Sequence, residues 1–237
     1  MIIGGLQRLS LIDYPGKICA VVFTRGCNFR CRYCHNPELV VPEKFSPAIP
    51  LRDVYDFLHR RSGLLQAVCI SGGEPAVHPD LLSMLSRIKE MGYLVKLDSN
   101  GSQPGILKEA IGRKLLDYVA IDIKAPWRDY GKIVGVRFPA ERLTKSIALV
   151  MSSEVDYEFR TTVVRCFISP DDIHKIARSI RGARRYILQN FGSTKLLDET
   201  LHHEPSYSDE ELAEIAGELK QYVEYCGVRK TADQFYP

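Results

Sequence analysis

The sequence has no apolar run long enough to span a membrane. Its longest, Ile18 to Phe23, is six residues, and a helix needs roughly 20 to cross a bilayer. No charge of one sign dominates either: 32 basic against 29 acidic residues leave a net of +3, spread along the chain. Only Arg178 to Arg185 is locally basic. No aromatic residue interleaves with it, so it is read as the wet face of a helix, and no nucleic-acid partner is expected. The opening MIIGGLQRLSLIDYPGK lacks the charged start and apolar run of an export signal, so a cytoplasmic location with reduced thiols is expected. Seven cysteines, an odd number, do not make a disulfide framework in a chain of 237 residues. Low-complexity tracts and long linkers are missing too. With 45% hydrophobic and 26% charged residues, a single globular domain over 1–237 is expected.

What is present is a rhythm. Six short runs rich in β-branched residues, at 18–24, 66–71, 93–98, 117–123, 156–164 and 184–190, are near strand length. Between them, apolar residues recur at helical spacing, as in Leu81, Leu82, Leu85 and Ile88, or Ile173, Ile176, Ala177 and Ile180. A last helix is expected over 208–226, with Leu212, Ile215, Ala216 and Leu219 on one side. Strand and helix in alternation predict a parallel sheet with right-handed crossovers. Six such units fall two short of a closed barrel, so an open doubly wound sheet and a partial barrel both fit. In either, the site belongs at the carboxyl ends of the strands. The loop 25–50 is the one long connection, and loops of that length usually carry function.

That loop holds Cys27, Cys31 and Cys34, a C-x3-C-x2-C spacing just past the first strand. Soft thiolates select zinc, copper or iron–sulfur clusters. A structural zinc site needs a fourth ligand, and His35, adjacent to Cys34, is awkwardly placed to serve. The C-x-x-C-H of residues 31–35 also fits haem attachment, which would require export and would leave Cys27 unused. Three thiolates on a cubane cluster leave one iron without a protein ligand, open to chelation by a small molecule, and S-adenosylmethionine is among the cofactors of radical chemistry. The other cysteines, Cys19, Cys69, Cys166 and Cys226, are expected as buried core residues in strands or on the last helix.

The stretch from Cys27 to Cys34, with Tyr33 just before the third cysteine, resembles the signature loop of radical S-adenosylmethionine (SAM) enzymes. The resemblance extends over most of the chain: Gly72-Gly73-Glu74-Pro75 follows the second run, Asp98-Ser99-Asn100-Gly101 the third, and Ala120 to Lys124 ends the fourth. The opening GLQRLSLIDYPGKICAVVFTRGCNFRCRYCHNPEL is similar to activating proteins of anaerobic ribonucleoside-triphosphate reductase, a branch of the glycyl-radical-enzyme activases. The resemblance implies an α/β fold, a partial (βα)6 TIM-like barrel of parallel strands with outer helices. It implies a 4Fe-4S cluster on Cys27, Cys31 and Cys34, with SAM on the open iron. The implied enzyme is an oxidoreductase. An external one-electron donor such as flavodoxin or ferredoxin would reduce the cluster, SAM would yield methionine and a 5′-deoxyadenosyl radical, and that radical would take hydrogen from a glycine of the reductase, the protein partner.

The same resemblance distributes further roles. Tyr33, Gly72, Gly73, Glu74, Asn100 and Lys124 would contact the cofactor, with Arg160 and Gln189 completing the pocket. Read alone, Ser71 to Pro75 is a strand followed by a turn; beside an open cluster its glycines let backbone carbonyls approach the methionyl ammonium, for which Glu74 supplies charge. Asp122 and Lys124 leave one face of one strand, and an unpaired carboxylate in a dry site needs a cationic partner. Lys124 serves one of the two aspartates. For the other, the resemblance suggests a monovalent cation held by Asp98, Asp122, Ser99 and Ala120; a salt bridge at the strand ends is the simpler reading. Arg160 shares a face with Glu158. Trp127 and Tyr130 are read as a lip or as core, and His202 and His203 as a solvated loop. Two rival functions stand beside the activase: a radical SAM enzyme acting on a small molecule, such as a deazaguanine-forming synthase, and a non-catalytic zinc-binding module.

Overall fold

The computed structural model describes residues 1–193 and 195–229. Its strands follow one another in the sheet in chain order: β1 (Ile3–Ser10), β2 (Cys19–Thr24), β3 (Ala67–Gly72), β4 (Leu94–Ser99), β5 (Tyr118–Asp122), β6 (Asp156–Val163), β7 (Tyr186–Asn190) and β8 (Cys226–Arg229). The helices are α1 (Pro37–Val40), α2 (Leu51–Arg60), α3 (Leu81–Glu90), α4 (Pro104–Gly112), α5 (Tyr130–Val134), α6 (Ala140–Met151), α7 (Pro170–Ser179) and α8 (Asp209–Leu219). This is the expected α/β fold with a largely parallel sheet, and β1 and β8 stand at the two ends of the strand order. The chain forms two compact units, one of Met1–Asn28, Glu38–Ala120 and Arg142–Asp156, the other of Phe29–Pro37, Ile121–Glu141 and the chain from Tyr157 on.

In the first unit, β2 pairs parallel with β3 from Cys19–Ala67 to Thr24–Gly72, and β3 with β4 from Ala67–Leu94 to Ile70–Leu97. Ala67, Val68, Cys69 and Ile70 are all fully buried, which explains why the strand reads as a continuous apolar run: a parallel strand is covered on both faces. Helices α2 and α3 bury one stripe each, Val54, Tyr55, Phe57 and Leu58 on α2 and Leu81, Leu82, Met84, Leu85 and Ile88 on α3. Each fully buried large aliphatic side chain contributes about 1.5–3 kcal/mol.

In the second unit, β6, β7 and β8 are parallel neighbours. Helices α7 and α8 both begin in capping boxes, Ser169 with Asp172 and Ser208 with Glu211. Each box satisfies two backbone donors that a helix start leaves open. Tyr130 packs among Phe29, Phe138 and Trp127 and is 1% exposed, so it is core.

The structure corrects several expectations. The six runs are β2 to β7, but two further strands flank them. β1 pairs antiparallel with β2; its sequence IGGLQRLS, with two glycines and three polar residues, has no apolar run. β8 has four residues, one of them glycine. The last helix therefore stops at Leu219, and Cys226 opens a strand. Cys166 is exposed, in the turn after β6. Loop 25–50 carries α1, and its Ile49 bridges Ile3. The basic stretch is only in part helical. Arg181, Arg184 and Arg185 follow α7 and stack on Tyr222, Tyr157 and Tyr225, aromatics supplied by other segments.

Candidate active site

The candidate residues divide between the two units. The first holds Cys27, Gly72, Gly73, Glu74, Asp98, Ser99, Asn100 and Ala120; the second holds Cys31, Tyr33, Cys34, Asp122, Lys124, Arg160 and Gln189.

In the first unit the turn after β3 is built by close backbone approach. A Cβ on Gly73 would overlap the Gly26 carbonyl, and Gly72 adopts φ of 108° against the backbone of Thr24. Only glycine meets both demands. The Gly73 and Glu74 amides donate to the Thr24 and Gly26 carbonyls at 2.9 and 2.8 Å, which ties the turn to the residue before Cys27. Glu74 is fully buried. Its Oε1 accepts from the Ala76 amide at 3.0 Å and the Ser99 hydroxyl at 2.8 Å, and its Oε2 accepts from the Asn100 amide at 2.5 Å. This carboxylate joins the β3 turn to the end of β4. Asn100 donates to Asn28 Oδ1 at 2.9 Å and lies 3.9 Å from Cys27 Sγ, while Asn28 donates to the Ser102 hydroxyl at 2.8 Å. The first cysteine is thus positioned from β4.

Asp98 has a cationic side chain beside it. It pairs with Lys96, whose side chain is fully buried, and accepts from the Ser71 hydroxyl at 3.0 Å. Lys96 also lies 3.8 Å from Cys69 Sγ. The sequence reading passed over this lysine, although a charge in the middle of the apolar run YLVKLD signals a buried ion pair.

In the second unit the cysteine loop is clamped along its backbone. The Arg30 amide donates to the Val134 carbonyl at 2.7 Å, and the Leu197 and Asp198 amides donate to the Cys34 and Arg32 carbonyls, each at 2.9 Å. Gly135, at φ 68°, packs against the Arg30 carbonyl. Cys31 is buried, and that burial pushes its thiol up to about 11 against the pull of Lys124. Tyr33 is buried as well, and its hydroxyl finds no hydrogen-bond partner among the described residues. Burial opposes the charge of Lys124, but Asp122, followed by Cys31, Tyr33 and Tyr130, holds the ammonium well above its ordinary pKa. Asp122 accepts from Arg160 Nε at 2.8 Å and Lys124 Nζ at 3.3 Å. Arg160 lies 3.8 Å from Glu158, which Arg229 also approaches at 3.5 Å. The pairing foreseen between Arg160 and Glu158 exists inside a larger network. Gln189 sits on β7 opposite Thr162 and Arg229. His35 contacts the Gly192 carbonyl through Nε2 at 2.8 Å.

Both aspartates therefore have cationic side-chain partners, which meets the charge demand that motivated a bound cation. Among the described residues, no three His, Cys, Asp or Glu side chains converge on a point as a mononuclear metal site requires. A cluster binds thiolates on separate irons. The residues fit such a group: three thiols on a backbone-clamped loop, a glycine turn with no room for a side chain, and an orphaned hydroxyl on Tyr33 within reach of the Lys124 charge.

Thiols of this spacing, set on a loop at the carboxyl end of the first parallel strand, define a cofactor-dependent α/β enzyme. The Radical SAM superfamily model matches residues 21–180. The chain is 35% identical over 235 residues to a provisionally named glycyl-radical enzyme activating enzyme of Methanocaldococcus jannaschii, covering 96% of this chain and 95% of that one. It is 35% identical over 132 residues to the pyruvate formate-lyase-activating enzyme of Clostridium pasteurianum, 52% of each chain. In fold it is similar to Streptococcus suis SuiB bound to S-adenosylmethionine, with a TM-score of 0.68 and 16% identity, and it spans 90% of its own length and about half (50%) of SuiB's. The chain belongs to the radical SAM superfamily and, within it, to the glycyl-radical enzyme activating enzymes. Enzymes of this family use a 4Fe-4S cluster and SAM, and their substrate is a glycyl-radical enzyme.

Proposed function

We propose that this activase acts on anaerobic ribonucleoside-triphosphate reductase, in the cytoplasm, with an electron supplied by a flavodoxin or ferredoxin. The carrying observation is the segment from Gly5 to Leu39, whose resemblance is to the activators of that reductase and whose residues here build the first cysteine and its glycine-turn support. The end-to-end match to an activating enzyme favours a protein substrate over the small-molecule alternative.

In this reading Cys27, Cys31 and Cys34 hold the three ligated irons of the cluster. Gly72 and Gly73 expose backbone to the methionyl part of SAM, and Tyr33 and Asn100 line its place. Glu74 fixes the turn that presents it. Lys124 offers a fixed positive charge, oriented by Asp122, and Arg160 orients Asp122 in turn; Gln189 closes the far side from β7. Asp98, Ser99, Ala120 and Asp122 remain the candidate oxygens for a monovalent cation. When bound, the cluster and SAM supply one-electron cleavage of the sulfonium and removal of a hydrogen atom from a glycine. The chain's own task is to orient these groups and to exclude water.

The test is label transfer. Incubated anaerobically with reductase carrying deuterated glycine, the reconstituted protein is expected to yield deuterated 5′-deoxyadenosine. Unlabelled product sinks the reductase assignment. One zinc per chain, with no iron uptake, would restore the zinc-module reading.

A further inference from the structure

The first unit carries a second built surface, away from the cysteines in the chain. Leu6, Ile49 and the largely buried Phe57 line a cleft of about 670 Å³, and Arg8, Arg60 and Arg61 rim it. Arg8 lies over the Phe57 ring, 6.0 Å from its centre. None of the three arginines has an acidic partner among the described residues, and the buried Nε of Arg61 has no acceptor among them either. Asp53, the one acid lining the cleft, is 3.8 Å from Arg52. A buried guanidinium N–H without an acceptor is costly, so the cleft is electrostatically unfinished.

Beside it runs an open sheet edge. β1 ends the strand order, and among the described residues its outer side makes one isolated bridge, Ile3 with Ile49. The chain itself already uses this edge for extended pairing at Ile3. Beyond that bridge the strand carries Arg8 and a register shift between Gln7 and Ser10 but neither lysine nor proline. Large apolar side chains gather at its far end: Leu9, Leu11 and Ile12 are 51, 67 and 55% exposed. Ser10 pairs with Cys19, and Ile18, the residue before Cys19, is 40% exposed. Exposed apolar groups beside unpaired backbone mark association surfaces.

We propose that β1 is a docking edge for an extended, acidic and apolar segment of a protein partner. The segment adds as a strand to β1 and places its carboxylates on Arg8, Arg60 and Arg61. Backbone pairing gives such sites affinity and the flanking side chains give specificity. The charge is right for one sign of partner only, since three unpaired arginines repel a basic segment.

The probe is a short peptide alternating glutamate and valine, with a lysine–valine counterpart, added to the full chain. The acidic peptide is expected to bind, more weakly as salt rises, and to protect the amides of residues 5–10 from hydrogen exchange. The double variant Arg8→Glu, Arg60→Glu should lose about tenfold or more in affinity, and Arg8→Lys, Arg60→Lys should recover most of it. Equal binding of both peptides, unaltered affinity in the reversed variant, or binding without protection of β1 overturns the proposal. Inorganic triphosphate binding that competes through the same arginines without protecting β1 assigns the cleft to a small anion and overturns it as well. Only the partner's identity rests on the activase reading, under which the segment belongs to the reductase. If the reductase binds wild type and reversed variant equally, the docking edge fails and the activase stands. If the reductase binds neither while the peptide results hold, the reductase assignment fails and the docking edge stands.

Discussion

The replacement Glu74→Gln separates a carboxylate that holds the fold from one held only for a ligand. Glutamine keeps the volume and one oxygen. With that oxygen at the Oε1 position, the bonds from Ala76 and Ser99 survive, but the new amide nitrogen faces the Asn100 amide, donor against donor. A hydrogen bond to a charged acceptor is worth ~1.5–3 kcal/mol, and a buried donor left unmatched costs ~1–3 kcal/mol. Flipping the amide instead keeps the Asn100 bond and lets the Ser99 hydroxyl turn to accept, but it sets the new nitrogen against the Ala76 amide, donor against donor, so it offers no escape. The expected loss is about 3–5 kcal/mol, a large part of a stability of ~5–15 kcal/mol. Urea unfolding of metal-free protein without SAM, followed by circular dichroism, reads it directly. A variant within about 0.5 kcal/mol of wild type would refute the reasoning. The burial of Glu74 would then be sustained by a ligand instead of by the three donors around it.

Lys96→Met should cost about 3–5 kcal/mol, because it strands the Asp98 carboxylate beside Ser71; adding Asp98→Asn should recover most of that loss in the same unfolding assay. Alanine at Cys27, Cys31 or Cys34 should abolish iron retention after anaerobic reconstitution, whereas Cys166→Ala, at an exposed turn, should leave iron content unchanged and stability within about 0.5 kcal/mol. Gly73→Ala should destabilise by about 1–3 kcal/mol through overlap with the Gly26 carbonyl, while Gly105→Ala, with open space at the same position, should not. Burial pushes the Cys19 thiol up to about 11 and Tyr14 up to about 12. Their neutral forms are favoured by folding, so stability is complete below about pH 9 and is lost as pH rises toward 11. A shift of that size at Cys19 carries about 3 kcal/mol, so Cys19→Ala should flatten the alkaline limb of the unfolding midpoint against pH.

The strands and helices that face the core on both sides were legible because burial writes itself into periodicity. Val68, Cys69 and Ile70 leave no solvent-facing position, and a fully covered strand reads as a solid apolar run. β1 and β8 escaped for the converse reason. β1 lies at an edge with two of its eight residues exposed and four half-buried, and half-buried strands with glycine carry little pattern. The cysteine spacing was legible as chemistry, since three thiols in eight residues have few other uses. What the sequence could not display is how the remaining charges are shared. Asp98 and Asp122 looked like a pair in want of a common ion. Each instead has its own cation, Lys96 two residues before Asp98 on the same strand and Arg160 on β6 beside Asp122. Charge demand alone therefore cannot identify a cation site from residue types. It counts carboxylates that point inward, while the buried lysine that satisfies one of them is hidden in a strand whose pattern predicts only apolar side chains. The same logic runs in reverse at Arg8, Arg60 and Arg61. There the chain supplies three cations and, among the described residues, no acid pairs with them, although Asp53 lines the same cleft, and the proposed acidic segment would complete that balance at the edge of β1.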